Sequence, residues 1–282
     1  MKTDILFVHP NASKVIYQDL AKKNSAIEPP IWAGMLANSV RGNGFSPEIL
    51  DAEVLGLNYE SCAKVALEFK ARVICFVVYG QQPSASSQNM EGAVATAELI
   101  KELSSNVFIV FVGGHVAALP QETLEKESCI DAVCQNEGVY TLRDLLQLKK
   151  FEDVELSKIN GLCFRDEEGN IRTNSPSPIV PKSRLEIDLP GVAWDLLPKF
   201  DKYRTAGWHS WSNGSQKQPF AALYTSLGCP YKCSFCMINI INRTDVTPGV
   251  TSDKSNSFRW WSPDFVIKQF DYFAEQGVTN IK

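Results

Sequence analysis

The run ARVICFVVYG, residues 71–80, decides the fold of this chain. Every residue from Val73 to Val78 is apolar, so both faces of a strand formed here would be apolar. A strand that is apolar on both faces is typical of a parallel sheet covered by helices on either side. The run VFIVFV, residues 107–112, has the same pattern. Together the two runs predict the centre of a parallel sheet.

Three further short runs predict additional strands at residues 4–8, 47–51 and 131–134. Helical patterns separate and follow the strands at residues 32–44, 59–71, 89–105, 120–127 and 139–148. Strands that alternate with helices in this way form parallel sheets with helices on both faces. The fold class predicted for residues 1–150 is therefore α/β, a doubly wound parallel sheet of the flavodoxin or Rossmann type.

The chain of 282 residues is long enough for two domains, each with its own core. Residues 151–218 predict a linker with a small hairpin that turns at residues 168–170, and Trp194, Trp208 and Trp211 are its expected packing anchors. Residues 219–282 predict one strand, a helix capped by Ser262 and the start of another strand. A sheet this short leaves open edges. We expect the chain to be a fragment of a longer protein. The alternative is that a partner completes this second domain.

Composition and charge exclude several functions. The chain carries 28 basic and 32 acidic side chains and no dense block of Lys and Arg, so nucleic acid is not an expected partner. No apolar run has the length of a signal peptide or a membrane span, which predicts a cytoplasmic location. In that reducing compartment, cysteines are expected to be free or to bind metal. Five scattered cysteines are predicted to be small buried residues: Cys62, Cys75, Cys129, Cys134 and Cys163.

The segment LGCPYKCSFCMIN, residues 227–239, places Cys229, Cys233 and Cys236 directly after a predicted strand. Structural zinc needs four ligands, and this segment supplies three. An iron-sulfur cubane held by three thiolates keeps one iron open for another ligand. A zinc site that His209 or a scattered cysteine completes is the alternative.

The spacing CxxxCxΦC, with the aromatic Phe235 before the last cysteine, resembles the radical SAM superfamily. The resemblance implies a partial TIM barrel and a [4Fe-4S] cluster on the three cysteines. It also implies S-adenosylmethionine on the open iron, cleaved to a 5′-deoxyadenosyl radical after an electron arrives from a donor such as flavodoxin or ferredoxin. Phe235 would pack beside the adenine, and Gly228 would allow close backbone approach.

Residues 1–148 resemble the cobalamin-binding domain that precedes the barrel in a large subclass of that superfamily. The resemblance is carried by VVYG (77–80), VGGHVAALPQETL (112–124) and IDAVCQNEGVYTLRDLL (130–146). Glycines after strand ends allow close approach of a ligand, although they can also serve only to make tight turns. The predicted cobalamin contacts are Tyr79, Gly80, Gln81, Ser84, Gly113, Gly114, His115, Glu137 and Gly138.

The string DAEVLG, residues 51–56, imitates the DxHxxG motif in which a histidine binds cobalt, with Glu53 in the place of the histidine. It follows the second predicted strand, whereas the motif follows the first. Glu53 is therefore not expected to bind cobalt. His9 and Pro10 follow the first strand without the motif, so any bound cobalamin is expected to lack the usual histidine ligand.

The resemblance implies a cobalamin-dependent radical SAM enzyme, with methyl transfer to an unactivated carbon of a small-molecule or biosynthetic-intermediate substrate as the leading hypothesis. An oxidative cyclase or rearrangement enzyme is the alternative within the class. A binding module without catalytic activity is the alternative outside it.

Overall fold

A computed structural model of the chain describes residues 2–12, 26–80, 85–205, 218–231, 233, 236, 238 and 258–282. Its main feature is a seven-stranded sheet in the order β2-β1-β3-β4-β5-β6-β7. These strands are β1 (Ile5–His9), β2 (Pro47–Asp51), β3 (Val73–Val77), β4 (Phe108–Val112), β5 (Ala132–Cys134), β6 (Leu162–Arg165) and β7 (Ile171–Thr173).

The first five strands are parallel, as the sequence predicts. The run at residues 71–80 forms β3, which is fully buried between β1 and β4. The order of the first five strands is that of flavodoxin-like folds, in which the chain reverses its direction of growth between β1 and β3. The α/β fold class predicted for this part of the chain is confirmed.

Helices cover both faces of the sheet. The described helices of this part are α1 (Ile31–Gly42), α2 (Tyr59–Glu68), α3 (Ala85–Leu103), α4 (Gly114–Ala118), α5 (Pro120–Lys126), α6 (Val139–Gln147), α7 (Asp153–Leu156) and α8 (Leu185–Asp188). Short 3-10 turns follow at Lys182–Arg184, Trp194–Leu196 and Phe200–Lys202. The sequence patterns predict the longer helices to within a few residues at each end, but not α4.

The hydrophobic residues form two clusters, one on each face of the sheet. One face buries Phe76 and Phe111 with α2 and α3. The other buries Phe7 with α1 and α6, and it continues without a break into Trp194 and Phe273. The cluster on this second face thus includes residues from all three predicted segments of the chain, 1–150, 151–218 and 219–282.

The segment predicted as a linker is packed onto the sheet. Its hairpin forms β6 and β7, and β6 pairs antiparallel with β5, so the sheet extends to Thr173. Trp194 is buried against Phe200 and Phe273, as expected of a packing anchor. Trp208 and Trp211 lie outside the described residues.

The described part of residues 218–282 adds short strands and a long helix: β8 (Phe220–Ala221), β9 (Ser226–Leu227), β10 (Arg259–Trp260), α9 (Pro263–Glu275) and β11 (Asn280–Ile281). The single strand predicted near residue 220 is divided into β8, which pairs with β11, and β9, which pairs with β10. Ser262 caps α9 by accepting a hydrogen bond of 3.2 Å from the amide of Phe265. None of the helices in the described ranges is long and apolar enough to cross a membrane.

Candidate functional site

The carboxyl ends of the parallel strands form one edge, and most of the predicted cobalamin contacts lie along it. A crevice for ligands opens at such an edge where the strand order reverses, which is here between β1 and β3. His9 ends β1, and Tyr79 and Gly80 follow β3. Gln81 and Ser84 lie outside the described residues.

Tyr79 lies at this edge with its ring half-buried. The ring stacks on that of Trp32, with 4.3 Å between centroids and 16° between planes. Its hydroxyl donates a hydrogen bond of 3.2 Å to the carbonyl of Asn136, just after β5. Burial and then the charge of Glu137 raise the pKa of Tyr79, so the phenol is neutral at physiological pH. Tyr79 therefore bridges α1 and the end of β5 beneath the crevice.

The glycines of the edge are required by the packing of the protein itself. A Cβ atom at Gly113 would lie 2.7 Å from the backbone carbon of Val78. Gly138 has a φ of 74°, and a Cβ there would lie 2.6 Å from Cγ2 of Val112. Gly114 is buried at the start of α4, and a Cβ at Gly80 would overlap Ala85. Close packing of the loops thus accounts for these glycines whether or not a ligand approaches them.

His115 lies at the start of α4, after β4, and is half-buried. Its Nδ1 is 3.0 Å from the hydroxyl oxygen of Ser87, and its amide donates a hydrogen bond of 2.8 Å to Oγ of Ser86. Burial lowers the pKa of His115, and the neighbouring Glu122 opposes that effect only in part. The imidazole is therefore neutral at physiological pH and available for hydrogen bonding.

Glu137 is the most enclosed of the predicted contacts, with 2% of its surface exposed. Its carboxylate pairs with the guanidinium of Arg259 and accepts a hydrogen bond of 2.9 Å from the amide of Val180. Both carboxylate oxygens therefore have protein partners, and the side chain binds residues from two later parts of the chain.

A buried polar cluster at the ends of β1 and β2 is not predicted from the sequence. Nε2 of His9 lies 3.4 Å from Oε2 of Glu53, and the hydroxyl of Tyr203 donates a hydrogen bond of 2.9 Å to Asp51. The DAEVLG string thus supplies Asp51 and Glu53 as partners for other protein side chains. The signal in the sequence was the pair of acids after β2, but nothing local showed which side chains they meet.

The electrostatics of this cluster favour a protonated His9. Burial lowers the pKa of His9, but the hydrogen bond to Glu53 and the charges of Asp51 and Glu53 outweigh burial and raise it above 6.5. Burial raises the pKa of Asp51, and His9 and Tyr203 oppose that effect. Because Glu53 engages Nε2 of His9, this imidazole is not free to bind a metal from that atom.

The three clustered cysteines follow β9 directly. Gly228 precedes them with a φ of 79°, and the amide of Cys236 donates a hydrogen bond of 3.1 Å to the carbonyl of Cys233. Cys233 is exposed, whereas Cys229 and Cys236 are half-buried. In the described part of the chain, no three His, Cys, Asp or Glu side chains are grouped closely enough to hold a metal ion. Phe235, and His209 of the alternative zinc site, lie outside the described residues.

The five scattered cysteines are all buried, as predicted. Burial raises the pKa of Cys62 and Cys129 to about 12, and it also raises the pKa of the other three thiols: Cys75, Cys134 and Cys163. A buried thiol with a raised pKa is a poor nucleophile and a poor metal ligand. The accessible thiols in the described structure are therefore those of residues 229, 233 and 236.

These residues fit the two implied cofactors in different ways. The chemistry of the donor set fits a cluster with one open iron, because three accessible thiols lie within eight positions of the sequence. The described structure does not group these thiols closely enough to hold a metal. At the sheet edge, Nε2 of His9 is engaged by Glu53, so a cobalamin bound there would not take that nitrogen as a ligand.

A parallel sheet in the order 2-1-3-4-5 defines an α/β domain of the flavodoxin-like type, a class in which ligands bind at the carboxyl edge where the strand order reverses. Comparison with known families adds that residues 18–146 match the family described as B12 binding domain. This part of the chain is therefore similar to B12 binding domains.

Known relatives extend the similarity beyond that domain. The chain is 32% identical over 208 residues to an uncharacterized methyltransferase, PH0819, of Pyrococcus horikoshii, covering 74% of this chain and 40% of the relative. It is 28% identical over 151 residues to the cobalamin-dependent radical SAM methyltransferase TokK of Streptomyces tokunonensis, covering 52% of this chain and 20% of the relative. The chain thus spans less than half the length of these relatives.

Among solved structures, the fold is similar to that of the cobalamin-dependent S-adenosylmethionine radical enzyme OxsB with aqua-cobalamin bound. The TM-score is 0.64 at 20% sequence identity, and the match covers 98% of this chain and 32% of that one. At this identity the match establishes the fold, and it includes residues beyond the B12-binding domain.

Proposed function

We propose that the chain is part of a cobalamin-dependent radical SAM enzyme that transfers a methyl group to an unactivated carbon of a small organic substrate. Cobalamin would bind at the carboxyl edge of the sheet, and a [4Fe-4S] cluster with S-adenosylmethionine would bind at residues 228–236. When bound, the cluster and S-adenosylmethionine supply radical chemistry, and cobalamin supplies a transferable methyl group.

One observation carries this proposal: the cysteine segment begins where the chain is fixed to the B12-binding edge. Leu227, two residues before Cys229, pairs with Arg259, and Arg259 binds Glu137 just after β5. Thiols suited to a cluster therefore follow a strand that is anchored to the cobalamin edge. Two cofactors that act on one substrate need this proximity.

In this proposal, residues of the chain hold and shield the cofactors. Cys229, Cys233 and Cys236 would bind the cluster as thiolates, and the positive φ of Gly228 would allow close approach of the backbone. Tyr79 and His115 line the cobalamin edge as neutral hydrogen-bonding groups. We also propose an electron donor such as flavodoxin or ferredoxin as partner, and the cytoplasm as location.

The cluster is tested by anaerobic reconstitution with iron and sulfide, followed by iron analysis and electron paramagnetic resonance. Cys233→Ala should lose the signal of the wild-type cluster, because one thiolate ligand is removed. Cys163→Ala is the matched control, since Cys163 is buried in β6 and should leave the signal unchanged. A Cys233→Ala protein with the wild-type cluster would refute the ligand assignment.

Cobalamin binding is tested separately by titrating the chain with aquacobalamin and following absorbance. Binding should persist in Cys233→Ala, because the B12-binding edge does not need the cluster. Absence of binding in the wild type would remove the cobalamin part of the proposal and leave the cluster part to its own test.

The reaction is tested in the full-length protein with S-adenosylmethionine that carries an isotope in its methyl group. Label in the product supports methyl transfer. A product without label, formed at the expense of S-adenosylmethionine, favours a cyclase or rearrangement. No turnover of S-adenosylmethionine despite bound cofactors favours a binding module.

A further inference from the structure

An ion pair between Arg259 and Glu137 joins distant parts of the chain in the interior. The two side chains are only 5% and 3% exposed. Nη1 of Arg259 lies 3.1 Å from Oε2 of Glu137, while Nη2 binds Oε1, so the guanidinium contacts both carboxylate oxygens. A two-point contact of this kind fixes the orientation of both groups as well as their separation.

Val180, in the segment between the B12-binding domain and the cysteines, completes the contact. Its amide donates a hydrogen bond of 2.9 Å to Oε2 of Glu137, and its carbonyl accepts one of 2.5 Å from Nη1 of Arg259. Each of the three residues thus binds the other two. Together they join the end of β5, the connecting segment and β10.

The ion pair is connected to the cysteine segment through β9. Arg259 is paired with Leu227 in the β9–β10 ladder, and Cys229 follows Leu227 by two residues. The neighbouring residues secure the same strand: the indole of Trp261 donates a hydrogen bond of 3.0 Å to the carbonyl of Leu189, and the amide of Ser262 donates one of 2.8 Å to Glu186. Of these contacts, the one with Glu137 reaches the carboxyl edge of the sheet.

We propose that Arg259 and Glu137 are positioning residues. They hold the β9–β10 ladder, and with it the cluster cysteines that follow β9, at a fixed place relative to the B12-binding edge. The proposal rests on the proposed function for its consequence in catalysis. It also gives Glu137 a role other than that of a direct cobalamin contact, since its carboxylate is occupied by Arg259 and Val180.

An ion pair suits this role better than apolar packing would. Apolar contacts are non-directional, so a strand held by them alone can shift at little cost. If the carboxylate of Glu137 moved away from the guanidinium of Arg259, both charges would remain in the interior, without water to solvate them. Separation of the pair is therefore strongly unfavourable. The β9–β10 ladder therefore has one favoured position, and a small displacement of it would separate the reacting groups.

The first test uses the 282-residue chain without cofactors and measures amide hydrogen exchange by mass spectrometry. The variants are Glu137→Gln, Arg259→Gln and Arg259→Lys. Asp195→Asn is the matched control, because the pair of Arg41 and Asp195 also joins α1 to the connecting segment but is 38% and 64% exposed.

Both single neutral variants should increase exchange about 100-fold or more in peptides that contain residues 178–182 and 258–262, since each variant removes the charge of one partner from a buried two-point contact. Peptides from β3 and β4 should keep wild-type protection, and Arg259→Lys should give an intermediate change. The control should change exchange less than about threefold. Wild-type protection of the peptides that contain residues 258–262 in both Glu137→Gln and Arg259→Gln would overturn the proposal.

If a neutral variant unfolds as a whole, Arg259→Lys tests the positioning role instead, because lysine keeps the positive charge but loses the two-point contact. Local loss of protection at residues 258–262 in a folded Arg259→Lys chain supports the positioning role. Wild-type protection in that variant overturns it.

The second test uses the protein loaded with both cofactors and measures the dipolar coupling between Co(II) of cobalamin and the reduced cluster. Glu137→Gln and Arg259→Gln should both alter or broaden the coupling while cobalt and iron contents stay at wild-type values. Loss of cobalamin in Glu137→Gln alone would make Glu137 a ligand contact and overturn the positioning role. If the wild type holds no cobalt or no cluster, the proposed function fails, and hydrogen exchange still decides the positioning claim.

Discussion

The hydroxyl of Tyr203 donates a hydrogen bond of 2.9 Å to Oδ2 of Asp51, across 152 residues of sequence. Tyr203 is fully buried, and Asp51 is 1% exposed at the end of β2. The amide of Val54 contacts the other carboxylate oxygen at 3.3 Å. A buried carboxylate needs such donors, because burial without them is costly. The segment after the β6–β7 hairpin is therefore joined to the carboxyl edge of the sheet.

Replacement of Tyr203 by Phe should lower the free energy of unfolding by about 1–3 kcal/mol, the cost of leaving a buried polar group without a partner. The ring volume is retained, so no cavity contributes to the loss. Urea unfolding followed by circular dichroism measures the change. Tyr231→Phe is the control, since Tyr231 is 72% exposed and its loss of a hydroxyl should cost less than about 0.5 kcal/mol. Equal stability of the two variants would show that Asp51 does not depend on Tyr203.

The raised pKa of His9 predicts a pH-dependent stability. A group whose pKa is raised by folding stabilises the folded state below its unfolded pKa, near 6.5, and this contribution is lost as pH rises through the folded pKa. The free energy of unfolding of the wild type should therefore fall relative to that of His9→Gln as the pH rises above about 6.5. Unfolding in urea at a series of pH values gives both curves.

His115 provides the opposite control for that experiment. Burial lowers its pKa, so its contribution to stability increases as pH rises toward 6.5. In the wild type, His115 should make the free energy of unfolding rise as the pH increases toward 6.5, and His115→Gln should abolish that rise. His9 should make the free energy of unfolding fall above pH 6.5, and His9→Gln should abolish that fall. Parallel curves for the wild type and His9→Gln would mean that Glu53 and Asp51 do not hold the proton on His9.

The main sheet could be predicted because its signal is local. The apolar runs at residues 73–78 and 107–112 are typical of strands that are buried on both faces, and they form β3 and β4. The N-cap of α9 was equally predictable, because Ser262 and Pro263 together mark the start of a helix. Local patterns of this kind do not depend on the rest of the fold.

The contacts that build the candidate site could not be predicted, because they join residues far apart in sequence. The pair of Glu137 and Arg259 spans 122 positions, and neither residue lies in a pattern that names its partner. The sequence predicts a hairpin at residues 162–173, but it does not predict that this hairpin joins the sheet. That pairing depends on the edge of β5, whose backbone groups pair with β6. The strand near residue 220 is divided because β11 and β10 pair with its two ends.

Gly138→Ala should destabilise the chain by about 1–3 kcal/mol even without cobalamin. The φ of 74° disfavours a side chain, and the new Cβ would lie 2.6 Å from Val112 and 3.2 Å from Cβ of Cys134. Gly42→Ala is the matched control, because a Cβ at Gly42 would have no atom within 4 Å and the residue ends α1, so this change should be neutral or stabilising by up to about 1 kcal/mol. Thermal unfolding without ligand measures both. Wild-type stability of Gly138→Ala would leave ligand approach as the reason for the glycine.

The chain without a cluster should show two classes of thiol toward the disulfide reagent DTNB. Of its eight cysteines, five are buried and three are not, so three should react quickly in the native chain and all eight in denaturant. Burial raises the pKa of Cys62 and Cys129 to about 12, which removes the reactive thiolate as well as access to it. Cys233, the exposed thiol, should react first, and Cys233→Ala should leave two fast thiols. More than three fast thiols in the native wild type would contradict the burial of the scattered cysteines, and fewer would mean that residues 229–236 are enclosed.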